Sequence, residues 1–306
     1  MTSAAYGVLL QDACLENSVR DSLTALLFGR YPGLYRGRHL SIRENLMSFG
    51  FSHGDGWFAI IDVLSALLEA RGVMAMQVKE KFGTLRFYCR QGGEWSSGAV
   101  EVAGALSGKT CEHTGRRGRE VCLDGWWMTV DPAAPPELLP EPIRADLKRL
   151  GKRLGKQIGR REAAEAEEEN VYTRQLREAA ALAAAVVRDV PPGWSDLVDS
   201  LLSVLCWTAV SRQPGGGIGT AVRSVGKRQD GGPDGGASRP ARDGTAPVIR
   251  SVRRSPDGGL DVDADGLDGH GLGAVAFAAA MARRIHPETG FSGPVGDDGK
   301  TEWQRP

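Results

Sequence analysis

Residues 56–70, GWFAIIDVLSALLEA, and residues 193–207, GWSDLVDSLLSVLCW, decide the reading of the fold. Gly56-Trp57 with Asp62 returns as Gly193-Trp194 with Asp199. Each run is too long for a strand and apolar almost throughout, the pattern of a helix sunk in a core. One such helix predicts one packed unit; two, each entered in the same way, predict a unit that occurs twice.

The flanking sequence extends the first unit. Gly72 closes its helix, and residues 73–80 and 84–90 read as two strands around a Lys81-Phe82-Gly83 turn. In the second strand Leu85, Phe87 and Cys89 share one face, with Arg86, Tyr88 and Arg90 on the other. Residues 97–109 predict a helix of small residues, and residues 119–130 a strand pair around Asp124-Gly125. Residues 83–118 then match residues 258–293 without a gap, with Gly83/Gly258, Leu85/Leu260, Thr114/Thr289 and Gly115/Gly290 among the identities. The second copy is longer between Trp194 and Gly258. There residues 226–247 are so rich in Gly, Pro and Asp that a disordered insertion is expected.

Upstream, apolar residues at helical spacing predict an N-terminal helix within residues 8–30, ended by Tyr31-Pro32-Gly33. Ser41 with Glu44 has the form of a capping box and predicts a helix over 41–50. Prolines between 132 and 142 mark a linker, and the Ala-, Lys- and Glu-rich stretch after them reads as helix with a solvated face. The fold class expected is α+β: two diverged copies of a small helix–two-strand–helix unit joined by a charged helical segment. The divisions are 1–27 (N-terminal helix), 28–135 (first unit), 136–189 (charged linker) and 190–306 (second unit, with the insertion).

Composition narrows the function classes. Lys and Arg number 38 against 38 Asp and Glu, so a protein that coats nucleic acid by bulk charge is not expected, whereas a local basic face is compatible. Cys14, Cys89, Cys111, Cys122 and Cys206 are scattered and odd in number, unlike a secreted disulfide framework. The N-terminus lacks the form of a signal peptide and no apolar run reaches the length of a membrane span, which gives a cytoplasmic protein with no membrane partner as the expectation.

Four clusters invite chemistry. Cys111, His113 and Cys122 are ligand types, but their spacing is poor for zinc, and no metal or other cofactor is expected. Asp261, Asp263 and Asp265 before Gly266 imitate the front of a calcium loop; Leu272 stands where the closing Glu belongs, so an acidic turn is expected. Lys79, Lys81, Arg86 and Tyr88 bring basic and aromatic residues onto adjacent strands, a surface suited to bases and phosphates. Arg36, Arg38 and His39 form a second basic cluster, and Asp55 and Trp57 complete the candidate binding set. No nucleophile triad, phosphate loop or paired-carboxylate motif is present, so no catalytic residues are assigned.

The strings YPGLYRGRHLSIRENLMSFGFSHGDGWFAIID, QVKEKFGTLRFY, CEHTG and GWWMT together resemble a family of small proteins encoded by bacteriophages and prophages. The resemblance covers about a third of the chain. It implies Cys-Glu-x-Cys-Gly and a later Thr-Leu-Cys as zinc ligands in relatives; here Thr114 and the Thr129-Val130-Asp131 block stand in their places. The resulting expectation is a non-enzymatic phage or mobile-element accessory protein that binds a host protein or nucleic acid and modulates a host system. The alternatives are a nucleic-acid-acting enzyme built on His39, His53 and Asp55, or a purely structural duplicated module.

Overall fold

The computed structural model describes residues 19–123, 126–131, 133, 171–211, 247–292, 296 and 298–300. The expected Asp124-Gly125 turn, the linker up to residue 170 and nearly all of the 226–247 insertion lie outside the described residues, as does the start of the N-terminal helix. Both helices and small sheets are present, which makes the chain an α+β protein.

Helix α1 (Asp21–Arg30) carries Asp21 in its first turn and Arg30 in its last, charges that suit the helix dipole. It buries Leu23 and Leu27 in the main core rather than standing apart from it. Strand β1 (Phe51–Ser52) leads into a single 3-10 turn, Asp55–Trp57, and then α2 (Phe58–Glu69). Helix α2 is buried on nearly every side, as its largely apolar run demands. Strands β2 (Met74–Lys81) and β3 (Thr84–Arg90) follow as a hairpin in which Lys81 pairs with Thr84. Phe82 and Gly83, the two loop residues, both have positive φ, as a two-residue hairpin loop of this twist requires. Helix α3 (Gly93–Ser107) returns across the sheet, and β4 (Arg119–Leu123) pairs with β5 (Trp126–Val130).

The C-terminal half contains α4 (Val171–Ala185), β6 (Val187–Asp189), α5 (Ser195–Ser211), β7 (Val248–Arg254), β8 (Leu260–Asp265) and α6 (Gly269–Ala282). Its sheet has the order and directions of the first: β1 runs parallel to β2 and β2 antiparallel to β3, while β6 runs parallel to β7 and β7 antiparallel to β8. The rungs correspond singly. Ser52 faces Lys79 where Asp189 faces Arg253, and Val78 faces Phe87 where Val252 faces Val262. Both ladders are interrupted at the same rung, between Ala75 and Gln77 and between Ile249 and Ser251.

The Gly-Trp entries also agree in detail. Gly56 N–H donates to the Glu112 carbonyl at 2.6 Å and Gly193 N–H to the Pro287 carbonyl at 2.7 Å. Trp57 Nε1 donates to the Thr110 carbonyl at 2.8 Å, and Trp194 Nε1 to the Ile285 carbonyl at 3.3 Å. A Cβ at Gly56 would lie 2.3 Å from the Cys111 carbonyl oxygen, and one at Gly193 2.4 Å from that of His286, so only glycine fits either place. Both indoles are fully buried, worth about 4–6 kcal/mol each if they remove 150–250 Å² from water.

The halves pack on each other through α3 and α6. A Cβ on Gly98 would stand 1.9 Å from the His270 carbonyl oxygen, and one on Gly273 1.8 Å from that of Trp95. Each helix thus presents a glycine to the matching point of the other, the reciprocal pattern of a two-fold interface. The flanking ion pairs repeat the reciprocity. Asp62 pairs with Arg284 at 2.6 Å, and Asp199 with Lys109 at 3.8 Å.

Three sequence expectations need correction. Residues 41–50 do not form one capped helix. Ser41 Oγ does bond Glu44 at 2.6 Å, but Asn45 is extended and its side chain accepts the Met47 N–H at 2.8 Å, restarting the chain as a short 3-10 helix, Leu46–Phe49. Residues 187–189, assigned to the linker, are strand β6 of the second sheet. The acidic run Asp261–Asp265 is strand β8 rather than a turn, because Leu260 and Val262 alternate with the aspartates at period two and seat it against β7.

Candidate nucleic-acid interface

Alternation along β2 and β3 sends Val78, Leu85 and Phe87 into the core and Lys79, Lys81, Arg86, Tyr88 and Arg90 to the other side. Lys79 stands directly opposite Arg86, and Gln77 opposite Tyr88. Like charges on one rung cost a few tenths of a kcal/mol. No carboxylate forms an ion pair with Lys79, Lys81, Arg86 or Arg90 among the described residues. The adjacent Glu80 points back to the hairpin, where it accepts the Gly83 N–H at 2.5 Å; burial raises its pKa, against the lowering effect of that hydrogen bond and of Arg86 and Lys79. The Lys81 ammonium lies 5.1 Å from the centre of the exposed Phe82 ring at the hairpin tip. The result is a basic surface with no ion pair among the described residues, moderated by the nearby Glu80 charge, with Tyr88 and Phe82 available for stacking.

The same face of the second sheet is neutralised. Arg253 stands opposite Asp261, on the rung that matches Lys79 and Arg86. Arg250 bonds Asp263 at 3.0 Å and also Asp265, whose carboxylates occupy the places of Tyr88 and Arg90.

The remaining candidate residues do not join this face. Arg36 spends its guanidinium on backbone carbonyls: Gly33 at 2.6 Å, Val73 at 3.1 Å and Gly72 at 3.3 Å. Arg38 lies over the Phe28 ring and donates to the Tyr35 carbonyl at 3.2 Å. Asp55 accepts the Arg20 N–H at 3.0 Å and pairs with its guanidinium. Trp57 is enclosed by the core and presents nothing to a partner. His39 is exposed on the 3-10 turn Arg36–His39.

His39, His53 and Asp55 do not open onto a common cleft. His53 is fully buried between Phe51 and Trp57, its Nδ1 2.8 Å from the Gly54 carbonyl. Burial pushes its pKa down to about 4 against smaller raising effects of Gly54 and Asp55. His113, also held to about 4 by burial, lies near Asp55. A cleft of about 330 Å³ among the described residues is lined instead by Arg116, Arg117, Asp131, Thr289 and Phe291. Two of its walls, Arg116 and Phe291, are in contact, the Arg116 guanidinium 5.1 Å from the centre of the Phe291 ring.

Cys111 is buried beside the Gly56 turn, and Cys122 faces Trp127 across the β4–β5 pair. Among the described residues no group of three or more His, Cys, Asp or Glu side chains is placed to hold a metal ion. No described helix is long and apolar enough to cross a membrane.

Two features escaped the sequence reading. Asp62 is buried and gathers Tyr31 OH at 2.7 Å, Arg30 at 3.1 Å and Arg284 at 2.6 Å, tying α1, α2 and the far half together. Residues 40–49 expose Leu40, Ile42, Leu46 and Phe49 to solvent. The apolar letters were visible, but nothing in their spacing said that they face outward.

Comparison of the chain with protein-family models, with curated proteins and with solved structures gives no match.

Proposed function

We propose that the chain is a non-enzymatic binding protein made of two diverged copies of one unit, and that the outer face of β2 and β3 holds single-stranded nucleic acid. The observation that carries this reading is the Lys79–Arg86 rung, two cations face to face that form no ion pair among the described residues, where the matching rung is Arg253–Asp261. A phosphate backbone lying across the rung relieves the repulsion, and Tyr88 and Phe82 offer rings on which bases stack. The shared rungs, interruptions and Gly-Trp entries support the duplication. The resemblance of residues 29–130 to phage-encoded proteins favours an accessory role directed at a host process.

Fluorescence anisotropy of a labelled single-stranded oligonucleotide, titrated with the full chain at several salt concentrations, tests the reading. Binding should weaken with salt, and Lys79→Ala with Arg86→Ala should lower the slope of log affinity against log salt by about 1.4, at about 0.7 per lost contact. Wild-type chain that does not bind, or a slope unchanged by the double substitution, removes the first sheet as the interface.

A further inference from the structure

We propose that Phe82, at the tip of the β2–β3 hairpin, is a specificity-determining residue that selects unpaired strands over duplex by stacking on a base free of its partner. The proposal rests on the reading of this sheet face as a nucleic-acid surface and assigns its specificity.

Phe82 combines two unfavourable features. Its φ is 56°, in the left-handed region that glycine and asparagine enter readily and that a bulky side chain adopts only under constraint. Its ring is 63% exposed, so little burial offsets that strain. A two-residue loop of this twist favours Asn-Gly, and Phe82-Gly83 stands there instead. The surroundings hold the tip in place. Gly83 N–H donates to Glu80 at 2.5 Å, the Thr129 hydroxyl donates to the Gly83 carbonyl at 2.7 Å, and a Cβ on Gly83 would lie 3.1 Å from the Met128 backbone. The turn is clamped between its own strand β2 and β5, so the backbone that carries the ring is fixed. Strain that neighbours over-determine points to a task.

The second half shows what the fold itself needs at this place. There residues 255–259 join Arg254 to Leu260, and the positive φ falls on Gly258. Asp257 accepts the Gly259 N–H at 3.3 Å and pairs with Arg283. That loop contains no aromatic residue. The shared architecture thus closes its hairpin without a strained side chain and without a ring.

The charges select the partner. Strands β2 and β3 carry Lys79, Lys81, Arg86 and Arg90 against one acid, Glu80, whose carboxylate is turned onto Gly83. The Lys81 ammonium lies 5.1 Å from the centre of the Phe82 ring, so a cation and an exposed ring stand side by side, as a phosphate and its base require. Phosphates are present in single strands and duplexes alike, and the Lys79–Arg86 rung attracts both. Base faces differ. In a duplex each is covered by its neighbours, whereas in a single strand a base can be splayed onto a ring.

The test measures anisotropy of a labelled single-stranded oligonucleotide, and of the duplex of the same sequence, with the full chain. Wild type should prefer the single strand. Phe82→Asn should weaken single-strand binding about tenfold and leave duplex binding and the salt slopes unchanged. It should also raise the urea midpoint, because Asn accepts the left-handed turn. Phe82→Trp should keep the preference. An unchanged ratio of the two affinities in Phe82→Asn, with the salt slope still lowered by Lys79→Ala and Arg86→Ala, overturns this proposal and leaves the sheet reading standing. Wild-type chain that binds neither probe overturns both. A urea midpoint that falls in Phe82→Asn shows that the ring serves the fold, and overturns the proposal. Binding to phosphatidylserine vesicles that Phe82→Asn abolishes, with no strand binding, overturns it in favour of a lipid surface.

Discussion

The two sheets of this molecule share a skeleton and differ in charge. On matching rungs the first sheet sets Lys79 against Arg86, and the second sets Arg253 against Asp261. Their inward residues keep one character, Val78 and Phe87 in one sheet and Val252 and Val262 in the other. Inward positions answer to burial, which favours apolar side chains of whatever size the local core accepts. Outward positions answer to solvent and partners, so they are free to differ between the two sheets. The same contrast runs through the interface. Asp62 and Asp199 occupy matching places, yet Asp62 is buried under three donors whereas Asp199 is 41% exposed.

That contrast gives the largest effect. Asp62→Ala strands Arg284, whose guanidinium is largely buried, and should cost about 3–5 kcal/mol in urea unfolding. Asp199→Ala, which removes exposed pairs with Arg188 and Lys109, should cost less than about 1 kcal/mol. Equal costs would erase the asymmetry.

Acid should expose the next difference. His53 and His113 are kept neutral in the fold, near pKa 4, while the unfolded chain titrates near 6.5. The unfolded state therefore binds more protons as pH falls, and the fold loses stability from about pH 6.5 down to about pH 4, on the order of 3 kcal/mol for each histidine at full effect. The second half has Val190 and Glu288 in those places. Urea midpoints at pH 7 and pH 5 check this; a chain as stable at pH 5 as at pH 7 has its histidines wrongly placed.

A smaller effect tests what the halves have in common. Gly98→Ala and Gly273→Ala each drive a Cβ into a carbonyl of the opposing helix, and each should cost about 1–3 kcal/mol. The two costs should agree. A large cost at one glycine and none at the other would show that the reciprocal packing of α3 and α6 is not real.

Much of this architecture was written locally. Trp57 and Trp194 announced their helices because each follows a glycine and opens an apolar run. The β2–β3 hairpin was legible from period-two alternation on either side of Gly83, and that alternation also separated Arg86 and Tyr88 from Leu85 and Phe87. Strands β1 and β6 were not legible. Phe51–Ser52 and Val187–Asp189 are too short to carry a period, and they are strands only because β2 and β7 offer them an edge. The role of Asp62 was hidden for a similar reason: its partner Arg284 lies 222 residues away. Trp57 and Arg36 were read as surface groups by residue type, whereas the indole found the Thr110 carbonyl and the guanidinium found the carbonyls at the end of α2. Residue type gives the chemistry a side chain can do, and only tertiary contacts decide whether it faces outward to do it.

Photocrosslinking is the most direct test of the claim that the first sheet, and not its counterpart, meets nucleic acid. A 4-thiouridine-containing single strand would be irradiated with the full chain and the crosslinked peptides mapped by mass spectrometry. Crosslinks should fall on residues 82–90, at Phe82 and Tyr88, and should fade as salt rises. Crosslinks concentrated on residues 248–265, or spread evenly over both sheets, would contradict it.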